Sequence, residues 1–74
     1  MSFEEFKKEV LDAVKSRPVF IRKGQAVFNY VDETFGAART AQFEYGVDCF
    51  YNDNKIEDFL DVCYHIITDT RKND

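Results

Sequence analysis

Apolar residues recur at helical spacing over most of the chain. Phe3, Phe6, Val10 and Val14 form a first stripe, with Ala13 beside them, and Glu4, Glu5, Lys8, Asp12 and Lys15 take the wet face. Ser2 stands three residues before Glu5, the spacing of a capping box, so the helix starts there. Arg17-Pro18 ends it, because a residue before proline is pushed out of the helical region. A second helix opens at Arg22, with Gly24, Val27, Phe28, Val31 and Phe35 on one stripe and Gly36 placed to stop it. Gly24 costs about 1 kcal/mol relative to Ala inside a helix unless it sits in the first turn or lets another backbone approach.

Three segments read less simply. Val19-Phe20-Ile21 fits either a short strand or the lead-in to the second helix. Ala37 to Phe43 has the spacing of a short third helix with few apolar residues, broken at Tyr45-Gly46. A mixed aromatic and polar connection runs from Val47 to Asn54. Asn54 then opens a last helix, with Glu57 at capping distance and Ile56, Phe59, Leu60, Cys63 and Ile67 on one face beside Ile66. The end of the chain is polar and reads as a frayed tail over 69–74. The pattern predicts a single all-α domain over 1–74, three or four short helices around a Phe-rich core. The alternative is α+β, with 19–21 paired to 47–51 as a minimal two-stranded element.

Composition supports the helical reading. Of the 74 residues, 45% are hydrophobic and 32% charged, enough apolar surface to fold, while three Gly and one Pro are too few for many tight turns. A domain of this length has roughly 4–10 kcal/mol of stability and no room for a cleft between domains.

The net charge of −4 argues against a general nucleic-acid binder, which needs a basic footprint. The charge is uneven. From Lys15 to Thr40, five cations (Lys15, Arg17, Arg22, Lys23, Arg39) face Asp32 and Glu33, a net of +3. From Glu44 to Asp69, seven acids face Lys55, a net of −6. The two stretches either attract each other across the fold or leave an acidic face for a basic partner. The N-terminus lacks the basic-then-apolar order of a secretory signal, and no apolar run approaches the roughly 20 residues of a membrane span. A cytoplasmic protein with reduced thiols and no membrane association is the expectation.

Candidate chemistry is sparse. The oxygen-rich segment from Asp48 to Asp58 lacks the Gly sixth and the alternating ligands of a calcium loop whether the loop starts at Asp48 or at Asn52, and reads as turn-forming and capping residues. Cys49, Cys63 and the lone His65 have no zinc spacing, and Cys63 falls on an apolar stripe while His65 falls on the wet face. No metal, cofactor or catalytic residue is expected.

The main polar group is the flank Arg22, Gln25, Asn29 and Asp32 on the second helix. Arg22, Gln25 and Asn29 are expected to fasten the connection carrying Asp48, Tyr51 and Asp53, since its backbone polar groups need partners. Recognition of a ligand or partner is the second reading of these six residues. Of the adjacent Phe50 and Tyr51, one should pack under the connection. The other should lie at the surface, where Tyr30, Tyr64 or Tyr45 would extend it into a patch.

Two stretches carry a resemblance. Arg22-Lys23-Gly24-Gln25-Ala26-Val27-Phe28-Asn29 is similar to an R-x-G-Q-A-x-F-N opening. Asp48 to Ile56, followed by Phe59-Leu60, is similar to a D-x-F-Y-x-D-x-x-I…F-L ending. Together they resemble a group of small uncharacterised proteins of bacteria and their phages or prophages. The resemblance implies a bacterial or phage setting and a compact helical cytoplasmic domain, with the Arg22 flank and the connection acting as one unit. It carries no activity. Where the related sequences have Pro before the Phe-Tyr pair, this chain has Cys49.

The functional expectation is a small non-enzymatic protein–protein interaction module, such as a phage or mobile-element accessory protein. The alternative is a nucleic-acid-associated regulator using the basic stretch 15–40.

Overall fold

The computed structural model describes residues 1–72, with side chains through Asp69. The chain is all-α. Helix α1 covers Phe3–Ala13, α2 Lys23–Phe35, α3 Ala38–Tyr45 and α4 Ile56–Lys72, and no strand occurs among the described residues. The capping box forms as the spacing requires: Glu5 N–H donates to Ser2 Oγ at 3.2 Å and Ser2 N–H donates to Glu5 Oε1 at 3.0 Å. The N–H and hydroxyl of Ser2 hold the Glu5 carboxyl below its ordinary range. A 3-10 turn, Val14–Ser16, follows α1 and stops at Arg17 before the proline. Gly36 and Gly46 end α2 and α3 with φ of 67°, the left-handed conformation that glycine adopts without a Cβ penalty.

The core lies where the four helices meet. Phe6, Val10 and Val14 come from the first stripe, Val27, Phe28 and Val31 from the second, and Ile56, Phe59, Leu60 and Cys63 from the last. Phe28 is the aromatic hub, stacked on Phe59 at 5.5 Å and edge-on to Phe50 at 5.6 Å. The short α3 contributes Ala38 and Ala41, both fully buried, with Ala37 just before it. Small side chains on its inner face let it lie close to α2 and α4, which explains how a segment so poor in large apolar residues still packs.

Several expectations are corrected. Residues 19–21 and 47–51 form no strand. Ile21 N–H instead donates to the Pro18 carbonyl at 3.0 Å and closes a turn, leaving Val19 and Phe20 in solvent. Ala13 is exposed, and Leu11 is the residue partly covered beside the first stripe. The cap before α4 is Asn52, not Asn54: its extended backbone frees the side-chain oxygen to accept Asn54 N–H at 2.9 Å, and a 3-10 turn, Asp53–Lys55, leads into the helix. Residues 69–72 continue α4, and the remaining two positions of the 69–74 tail lie outside the described residues.

Among the described residues, no ion pair joins the basic stretch to the acidic one. Lys15 reaches Asp12 at 3.1 Å and Arg39 reaches Asp32 at 3.5 Å, while the link between distant elements is Lys7–Glu57 at 3.2 Å. Local acids were nearer, and exposed pairs of this kind contribute about 0–1 kcal/mol each.

Candidate functional site

The long connection between α3 and α4 is drawn onto the N-terminus of α2. That helix end has no side-chain cap of its own, because Arg22 occupies the cap position and offers no acceptor. The connection supplies one: Gly24 N–H donates to Asp53 Oδ1 at 2.9 Å. The carboxylate thereby satisfies an orphan donor and places negative charge at the positive end of the helix. Arg22 Nη1 donates to the Tyr51 carbonyl at 3.3 Å, and the Cys49 thiol donates to the Gly24 carbonyl at 3.2 Å. A Cβ at Gly24 would collide with the Cys49 carbonyl oxygen, so glycine is what lets the two backbones touch.

Of the six residues expected to form the fastening, Arg22, Tyr51 and Asp53 are brought together, with Tyr51 taking part through its carbonyl. Asp48 is not with them. Its Oδ1 accepts Phe50 N–H at 3.2 Å, a local Asx turn, and its Oδ2 meets Gln42 Nε2 of α3 at 3.5 Å. Gln25 is half-buried and Asn29 exposed, and neither hydrogen-bonds to the connection. The reason is positional. The unpaired N–H groups of α2 are at its end, so the connection crosses the first turn at Gly24 instead of running along the flank toward Asn29.

This crossing builds a groove. Phe50 goes under, against Phe28, and Tyr51 stays out with 76% of its surface exposed. Phe43 of α3 borders the same groove with 79% exposed. Together with Arg39 and Gln42 these side chains line a shallow groove of about 270 Å³. The Tyr51 ring packs edge-on to Phe50 at 4.8 Å and shares the groove lining with Phe43; Tyr30, Tyr45 and Tyr64 do not line it. Tyr30 is engaged with Glu9 at 3.1 Å and Tyr64 with the Met1 carbonyl at 2.7 Å. Phe43 was readable in principle: it falls on the face of α3 away from Ala38 and Ala41, where an aromatic has nothing to pack on.

The sulfur and imidazole groups do not join the groove. Cys49 and Cys63 are free, fully buried thiols, and burial pushes both up to about 12, assisted at Cys49 by the Asp48 carboxylate. His65 is exposed on α4, 3.8 Å from Asp61. Among the described residues no group of three His, Cys, Asp or Glu side chains is placed to hold a metal ion, and Asp48 and Asp53 are turned to different partners. Among them, too, no helix is long and apolar enough to cross a membrane. No family model, curated protein or solved structure matches the chain.

Proposed function

We propose that this chain is a small non-enzymatic module that docks on another protein through the Phe43–Tyr51 groove. The observation that carries the reading is the pair of aromatic side chains held in solvent across a groove floored by Phe28 and Phe50. Aromatic anchors over an apolar floor, with Arg39 and Gln42 at the edge, are the composition of a protein-contact centre. The resemblance to small bacterial and phage proteins supports a cytoplasmic setting of that kind, and the small size fits an accessory protein.

The nucleic-acid reading has less support. Arg39 and Lys15 are engaged by Asp32 and Asp12, and Arg17 and Arg22 by backbone carbonyls, so four of the five cations already have an acceptor among the described residues.

Parallel affinity capture from bacterial lysate with the wild-type chain and a Phe43→Ser/Tyr51→Ser double variant tests the proposal. Proteins retained by the former and lost by the latter, at equal melting temperature, are the expected result. Identical protein profiles remove the groove from the account. Nucleic acid that elutes steeply between about 50 and 200 mM salt transfers the function to the basic stretch.

A further inference from the structure

Four of the most exposed large apolar residues occupy two adjacent places of opposite shape. One is the turn at Pro18–Ile21. Arg17 staples it from below: Nε donates to the Ile21 carbonyl at 3.0 Å and Nη1 to the Val14 carbonyl at 3.1 Å. The turn is therefore held in place, yet it leaves Val19 at 103% and Phe20 at 82% exposure. The other place is the groove between Phe43 and Tyr51. At about 270 Å³ it admits one aromatic side chain, and it is smaller than the roughly 300–1,000 Å³ typical of small-molecule sites. Turn and groove are neighbours, because the turn runs into Arg22, whose guanidinium bonds the Tyr51 carbonyl.

We propose that the occupant of the groove is Phe20 of a second copy of this chain, in a two-fold dimer whose turns enter each other's grooves. The inference rests on the groove being a protein-docking face and names what fills it. A two-fold axis needs a surface complementary to itself, and a convex apolar tip beside a concave apolar groove meets that condition. The contact covers Val19, Phe20, Phe43 and Tyr51 of both copies. At roughly 150–250 Å² per aromatic residue the interface reaches about 1,200 Å², the lower edge of specific association. Charge is compatible: Lys15, Arg22 and Lys23 flank the turn, while Glu44 follows Phe43, Asp48 lies beside Gln42, and the groove-lining cation, Arg39, is already paired with Asp32 at 3.5 Å. The stapled turn is already in its bound shape, so docking orders little more than side chains.

Sedimentation equilibrium from about 10 μM to 1 mM, the range an interface of this size calls for, tests the proposal. The wild type should show a monomer–dimer equilibrium, weakened at least about tenfold by Phe20→Ser and by Phe43→Ser at unchanged melting temperature. An equimolar mixture of the two variants should associate more tightly than either alone, because one intact turn–groove pair is restored. A wild type that stays monomeric, or a dimer that both substitutions leave intact, overturns it. So does a monomer that sediments with phosphatidylglycerol vesicles through Phe20, which gives the turn to a lipid surface. A monomer whose protein capture still depends on Phe43 and Tyr51 overturns the dimer alone. If neither capture nor association depends on them, both readings fall.

Discussion

Asp53 caps a helix from 29 residues away: its carboxylate accepts the N–H of Gly24 at 2.9 Å. That bond joins the two stretches that carry the resemblance and sets where the aromatic groove lies. Asp53→Ala should cost about 0.5–2 kcal/mol, the range of a lost N-terminal cap, and Asp53→Asn, which keeps an acceptor oxygen, less. Urea denaturation of the two variants measures the difference. Equal losses would mean that the N–H is not what the side chain serves.

Gly24→Ala separates helix propensity from packing. Propensity alone would raise stability by about 1 kcal/mol. The added methyl meets the Cys49 carbonyl, a backbone atom that cannot swing aside. The expected outcome is a loss of about 1–3 kcal/mol, the usual cost of overpacking. A raised melting temperature would show that the connection does not cross α2 there.

Capping of the last helix gives a paired comparison. Asn52→Ala should destabilise by about 1 kcal/mol, and Asn54→Ala, whose side chain caps nothing, should be near neutral. Thermal melts of the two variants check the order.

At the centre of the core, Phe59 is fully buried and stacked on Phe28. Phe59→Ala should cost about 3–5 kcal/mol. Against a total of roughly 4–10 kcal/mol this is a large part, and a melt followed by circular dichroism should show the midpoint lowered by at least about 12 °C. A melting temperature within a few degrees of the parent's would contradict the core described here.

The two thiols predict an alkaline limit. Burial raises both Cys49 and Cys63 from 9.0 to about 12. The unfolded chain gives up these protons near pH 9 while the folded chain keeps them, so the unfolded state is favoured as pH rises. Their contribution is complete below about pH 9 and is lost progressively toward about pH 12. Urea midpoints should fall from pH 8 to 10.5 in the wild type and fall less in Cys63→Ala, compared with its own value at pH 8. A thiol-specific reagent should react with the folded chain only as fast as it opens.

Much of the fold was legible because each helix carries its own signals. The capping box at Ser2, the stop at Pro18, the terminal Gly36 and the stripe from Ile56 to Cys63 are local, and local rules sufficed. The site was half legible. Charge and polarity pointed to Arg22 and Asp53, but helix-flank geometry also pointed to Gln25 and Asn29, which take no part. The deciding fact was that α2 begins without a cap, a deficit visible at Arg22 and filled from a distant segment. The exposed Val19 and Phe20 were obscured for another reason. Apolar residues are read by default as core, and whether a tertiary neighbour covers them is not a property of their own segment.

The most direct test of the docking face is site-specific photo-crosslinking in bacterial cells. A photoreactive phenylalanine analogue replaces Phe43, Tyr51 or, as an exposed control on α4, His65. The account predicts discrete protein adducts from positions 43 and 51, including the mass of a second copy of the chain, and none from 65. Adducts from 65 in their place, or no protein adduct from either groove position, would contradict it.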